Sequence, residues 1–108
     1  MAFEFVMHTL GREPASARSR RHQPDDLQLY VKTLCPFCVR VQHRMAALDV
    51  AIALKNIFLN PSHRSELMSG GGIQMVPCLR IASADGTVEW LYESADIVRY
   101  LEQRFEGT

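Results

Sequence analysis

Apolar and polar positions alternate along Leu27-Gln28-Leu29-Tyr30-Val31-Lys32, the two-residue period of a strand. The period then lengthens. Val41, Met45 and Leu48 recur at i, i+4 and i+7, so Val39 to Leu48 reads as a helix with one apolar stripe. Ala51 to Phe58 is rich in β-formers and reads as a second strand, parallel to the first because a crossover helix joins them. Asn60-Pro61 has the form of an N-cap followed by a first-turn proline and opens a helix to about Met68, which Gly70-Gly71-Gly72 ends. Val76 to Ala82 is a third strand. Asp85-Gly86 is a hairpin turn that returns the chain antiparallel through Val88-Glu89-Trp90-Leu91-Tyr92. Ser94 is the expected N-cap of a last helix whose apolar face is Ile97, Val98, Leu101 and Phe105. The order of elements is βαβαββα over residues 27–108.

Residues 1–26 lack this regularity. The apolar Ala2-Phe3-Glu4-Phe5-Val6-Met7 precedes a polar stretch from Gly11 to Asp26 that holds Arg12, Arg18, Arg20 and Arg21 among Pro, Ser and Ala. That composition reads as a flexible N-terminal extension, with the arginines a solvated tail rather than an anion contact. Ala15-Ser16-Ala17 mimics a signal-peptidase site, but no basic start precedes it and Glu4 and His8 interrupt the apolar run. Glu4 and Glu13 argue against a mitochondrial presequence. A cytoplasmic location is the expectation.

A chain of 108 residues with 47% hydrophobic content supports one domain with one core. Twelve basic and twelve acidic side chains cancel, so no global charge calls for nucleic acid or an anionic membrane. No apolar run approaches the ~20 residues of a membrane span. Three cysteines do not make a secreted disulfide framework. They fit a reducing compartment and a catalytic pair.

That pair is Cys35-Pro36-Phe37-Cys38, placed after the first strand and at the start of the first helix. Cysteines three apart lie about one helical turn from each other, within the ~5 to 6 Å Cα separation that a disulfide bridges. Pro36 suits the first helical position, which puts Cys35 at the positive end of the helix, where orphan N–H groups favour a thiolate. Cys35 is then the nucleophile and Cys38 the resolving thiol. Half of a zinc site has the same spacing, so the motif alone also admits a metal.

The wider setting carries a resemblance. Tyr30-Val31-Lys32-Thr33-Leu34-Cys35-Pro36-Phe37-Cys38 resembles the glutaredoxin active-site segment. Met75-Val76-Pro77 is similar to the family's threonine-valine-proline segment, whose proline is cis. Glu93-Ser94-Ala95-Asp96-Ile97-Val98-Arg99-Tyr100-Leu101 resembles the glutamate-serine signature that opens the last helix of glutathione-transferase thioredoxin-like domains. The three occur in family order between Leu27 and Phe105. The resemblance implies an α/β, thioredoxin-like sandwich with a mixed four-stranded sheet. It also implies a glutathione-dependent thiol–disulfide oxidoreductase that reduces protein or glutathione mixed disulfides, with glutathione as co-substrate and no metal.

The implied glutathione site runs through several segments. Val76 offers backbone groups to the ligand's cysteine, beside Pro77. Glu93 and Ser94 hold the γ-glutamyl end, where a carboxylate suits the ammonium and a helix N-terminus suits the α-carboxylate. Lys32 attracts a ligand carboxylate or favours the Cys35 thiolate, Phe37 stands as an apolar wall where the family often has tyrosine, and Gln74 is a further contact. Two other functions compete: a transferase-like glutathione-binding module, and a metal or iron–sulfur module drawing on Cys78. Cys78 itself reads as a small buried hydrophobe, and His43 as a surface histidine. The glycine run lacks the lysine-serine/threonine pair of a phosphate loop and reads as a mobile connector.

Overall fold

The computed structural model describes residues 21–106. Seven elements follow in order: β1 (Leu27–Val31), α1 (Pro36–Ala47), β2 (Ala53–Asn56), α2 (Pro61–Gly70), β3 (Cys78–Ala82), β4 (Val88–Leu91) and α3 (Ser94–Phe105). One four-stranded sheet has the order β2-β1-β3-β4. β1 runs parallel to β2 and antiparallel to β3, and β3 runs antiparallel to β4. This is the mixed sheet of a thioredoxin-like βαβαββα sandwich.

The sheet has two unequal cores because β1 is buried on both faces. Leu27, Leu29 and Val31 face a large cluster with Leu79 and Ile81 of β3, Val41 and Met45 of α1, and Ile97, Leu101 and Phe105 of α3. Tyr30 faces the other side, where Ile57, Leu67 of α2 and Cys78 form a smaller cluster. Each fully buried aliphatic side chain contributes about 1.5 to 3 kcal/mol relative to exposure. The larger cluster therefore fixes α1 and α3 on one face, with polar staples at its rim: Arg44 of α1 pairs with Glu102 at 2.7 Å and with Glu106 at 3.1 Å.

The turns form for local reasons. Asn60 caps α2, its side chain accepting the Ser62 N–H at 3.0 Å, and Pro61 follows at the first helical position. In the β3–β4 hairpin Gly86 adopts φ +94°, and the Asp85 side chain accepts both the Thr87 N–H at 3.0 Å and the Thr87 hydroxyl at 2.7 Å.

Several details differ from the sequence reading: β2 spans only Ala53–Asn56 of the expected Ala51 to Phe58, and β3 begins at Cys78 rather than Val76. Helix α2 continues to Gly70, and Gly70 and Gly71 are packing positions rather than a mobile connector: a Cβ on Gly70 would strike the Trp90 ring, and one on Gly71 the Tyr92 hydroxyl. Ser94 is the first residue of α3, while Glu93, in extended backbone, is the N-cap and makes no side-chain capping bond. The serine hydroxyl therefore sits one position too late to cap.

The part of the N-terminal extension before residue 21 lies outside the described residues. Residues 21–26 are tied to the domain. The His22 N–H donates to the Asp49 carbonyl at 3.0 Å, the Ala51 N–H donates to the His22 carbonyl at 2.9 Å, and Arg104 grips Asp26 through two hydrogen bonds of 2.9 and 3.0 Å. Among the described residues no helix is long and apolar enough to cross a membrane.

Leu101→Ala in the larger core should lower the unfolding free energy by about 2 to 5 kcal/mol, read from urea midpoints. Phe58→Ala, at a side chain 71% exposed, should stay within about 0.5 kcal/mol of the parent.

Candidate functional site

β1 delivers the chain to the site from the middle of the sheet. After Val31 the backbone leaves through Lys32 and Thr33 to Leu34, which adopts φ +62° and is 93% exposed. A leucine in the left-handed region stores on the order of 1 kcal/mol or more, and such residues cluster at functional turns. Neighbouring bonds hold the turn. The Asn56 side-chain amide donates to the Thr33 hydroxyl at 3.2 Å, and the Ile57 N–H donates to the Val31 carbonyl at 2.9 Å.

The turn places Cys35 as the N-cap of α1, with Pro36 next as the first helical residue. The Cys38 N–H donates to the Cys35 Sγ at 3.3 Å, and the Val39 N–H donates to the Cys35 carbonyl at 3.0 Å. The sulfur of Cys35 thus occupies the acceptor position that a capping oxygen takes in other helices.

Both thiols are free, and they differ. Cys35 is 5% exposed and lines a cleft of about 360 Å³; Cys38 is 1% exposed and lies behind it. Burial, reinforced by the hydrogen bond and charge of Cys35, pushes the Cys38 thiol up to about 12 against a weaker opposing pull from the Lys32 backbone. At neutral pH Cys38 keeps its proton.

The cleft gathers Lys32, Leu34, Cys35, Pro36, Phe37, Ile57, Gln74, Met75 and Val76. Five of the site residues expected from the sequence meet there: Lys32, Cys35, Phe37, Gln74 and Val76. The Val76–Pro77 peptide is cis, and Pro77 is buried. Glu93 and Ser94 do not line the cleft; they sit at the N-terminus of α3. Leu34, Ile57 and Met75 are lining residues that pattern alone did not mark. The wall carrying Gln74, Met75 and Val76 is clamped from below: the Tyr92 hydroxyl donates to the Ile73 carbonyl at 2.9 Å and accepts the Ile73 N–H at 3.3 Å. Gly71 leaves the room that this hydroxyl occupies.

Cys78 stands apart from the pair. It belongs to the smaller core with Tyr30 and Leu67, whereas Cys35 and Cys38 belong to the larger one. Among the described residues no group of three or more His, Cys, Asp or Glu side chains is placed to hold a metal ion. Burial pushes the Cys78 thiol from the ordinary 9.0 up to about 12, with the Tyr92 hydroxyl opposing.

The sequence model of the glutathione S-transferase N-terminal domain matches residues 34–104. A search of curated proteins returns no significant match. Among solved structures, a trimeric glutathione transferase of Leishmania is 28% identical with a TM-score of 0.60, over 74% of this chain and 18% of that one. The glutathione transferase Omega 1C of Trametes versicolor is 18% identical with a TM-score of 0.64, over 78% and 39%. A maleylacetoacetate isomerase of Anaeromyxobacter dehalogenans, solved with glutathione bound in its active site, is 23% identical with a TM-score of 0.57, over 75% and 38%. The last two likenesses establish the fold. The chain spans well under half the length of each of these proteins.

The buried thiols make stability fall at alkaline pH. The unfolded chain loses the Cys78 proton near the ordinary value of 9.0, while the folded chain retains it to about 12. The contribution of Cys78 is therefore complete below about pH 9 and is lost as pH rises through the folded value. Urea midpoints should fall as pH rises above about 9 towards 11, and less steeply in Cys78→Ala. Parallel curves for the two proteins would contradict this assignment.

Proposed function

The chain belongs to the glutathione S-transferase N-terminal domain family, and from that premise we propose that it performs glutathione-dependent thiol–disulfide exchange of the glutaredoxin kind through Cys35. The observation that carries this reading is the Cys38 N–H directed at the Cys35 Sγ, at a helix N-terminus that opens on a cleft.

In the first step the Cys35 thiolate attacks the glutathione sulfur of a mixed disulfide. A Cys35–glutathione disulfide forms, the old S–S bond breaks, and the substrate leaves as a thiolate that takes a proton from solvent. A second glutathione, as thiolate, attacks the glutathione sulfur of that adduct. Glutathione disulfide leaves and the Cys35 thiolate returns. With a protein disulfide, Cys35 instead forms a mixed disulfide with the protein. Cys38 then loses its proton and attacks the Cys35 sulfur, releasing the second protein thiol and leaving a Cys35–Cys38 disulfide, which two glutathione molecules reduce. Glutaredoxins lie near about −200 to −230 mV, within reach of cytosolic glutathione as reductant.

Glutathione binding follows the cleft. The backbone of Val76, beside Pro77, pairs with the cysteine residue of the tripeptide as an added strand. Lys32 and Gln74 hold a carboxylate at one end, and Phe37 packs along the ligand. The tripeptide extends beyond the cleft to α3, where Glu93 takes the γ-glutamyl ammonium and the Ser94 end of the helix takes its carboxylate. Partners in this reading are glutathione and glutathionylated or disulfide-bearing proteins, in a reducing compartment such as the cytoplasm.

A second reading rests on the family itself: the domain binds glutathione and presents its sulfur to an electrophile, with further chain supplying the other wall. The exposed apolar side chains Leu34, Phe37 and Met75 at the cleft favour it. The two readings differ in what Cys35 does.

Cys35→Ser should reduce glutathione-dependent turnover of a small mixed disulfide to the uncatalysed rate; retained turnover would reject Cys35 as the nucleophile and favour the second reading. Cys38→Ser should preserve deglutathionylation while abolishing dithiol reduction of a protein disulfide. In the parent, single-turnover release of the protein thiol should accelerate as pH rises above neutrality, because burial holds the proton on Cys38 and the attacking thiolate fraction grows with pH. Lys32→Ala should raise the KM for glutathione a few-fold, the scale of the ~1 kcal/mol of an exposed ion pair.

A further inference from the structure

Helix α2 leaves part of its face of the sheet uncovered. Tyr30 and Cys78 are cross-strand partners and pack in one cluster with Leu67 of α2. The adjacent row, Gln28 of β1, Arg80 of β3 and Trp90 of β4, is also in cross-strand register. α2 ends at Gly70, whose backbone lies so close to the Trp90 ring that a Cβ would collide with it. Gln28, Arg80 and Trp90 therefore form the floor of a second cleft of about 440 Å³, walled by α2 and Lys55. It shares no lining residue with the Cys35 cleft.

Its charges do not cancel. Glu66 of α2 accepts both the Tyr30 hydroxyl and the Lys55 ammonium at 3.0 Å through the same oxygen, so this acid and this base neutralise each other. Arg80 is left over. Its guanidinium lies 5.7 Å from the centre of the Trp90 ring, and no carboxylate among the described residues pairs with it. An arginine fork beside an indole matches a ligand that has a carboxylate at one end and a flat apolar body at the other. The volume lies in the range of small-molecule sites, roughly 300 to 1,000 Å³.

We propose that this partly uncovered face is a second ligand site for small aromatic carboxylates, with the carboxylate on Arg80 and the ring against Trp90. It is separate from the glutathione site and does not depend on the reading of Cys35.

Trp90 is the single tryptophan of the chain, so its fluorescence reads occupancy directly. The full chain is titrated with phenylacetate and, in parallel, with uncharged phenylacetamide, each with and without saturating glutathione. The expected result is a saturable change with phenylacetate, weaker by about tenfold or more with the amide, and unmoved by glutathione. Arg80→Gln should weaken phenylacetate binding by a similar factor while leaving disulfide exchange at Cys35 intact. Equal affinities for acid and amide, displacement by glutathione, no saturable change, or undiminished binding in Arg80→Gln would each overturn the proposal. The acid-against-amide comparison uses the parent protein, so it stands whether or not the variant folds.

Discussion

β1 is an inner strand of the sheet, with four of its five residues buried, and the remaining elements take their places from it. It pairs with β2 along one edge and β3 along the other. Leu27, Leu29 and Val31 are buried on one face and Tyr30 on the other. A strand so enclosed cannot slip by one residue without turning Tyr30 into the aliphatic core and the leucines out of it. Its register is therefore firm, and so is the point where Val31 leaves the sheet. The strained Leu34 and the cap at Cys35 hang from that point; a dithiol on a looser strand would have no fixed distance to the Val76 wall.

The two thiols of the pair inherit different surroundings from this placement. Cys35, at the helix start, faces both a donor N–H and the cleft. Cys38, one turn in, belongs to the core that α1 shares with α3, and its burial holds the proton on. The same three-residue spacing that permits a disulfide thus separates a sulfur that lines the cleft from one that does not.

Much of the architecture was legible because it is written in local rules. The alternation of Leu27 to Lys32, the Asn60-Pro61 start and the Asp85-Gly86 turn each depend on neighbours in the chain, and each stands where pattern placed it. The Cys35-Pro36 cap was legible for the same reason. What escaped notice depends on contacts between distant residues. The role of Gly70 and Gly71 follows from the approach of Trp90 and Tyr92 across the sheet, and no property of a glycine run announces that. Leucine has no left-handed preference, so nothing marked Leu34. At α3 the serine signal was real but misplaced by one position, because Glu93 holds the extended conformation that a cap requires. Glu93 and Ser94, expected at the γ-glutamyl end of the ligand, open α3 as the sequence reading has them and do not line the dithiol cleft.

The central claim is that Cys35 is the sulfur that exchanges with glutathione, and peptide mapping tests it most directly. The Cys38→Ser variant, which cannot close the internal disulfide, is incubated with glutathione disulfide, digested without reductant and analysed by mass spectrometry. The account predicts one glutathionylated peptide, carrying the adduct on Cys35, with Cys78 unmodified. An adduct confined to Cys78, or a Cys35 that remains a free thiol, would contradict it.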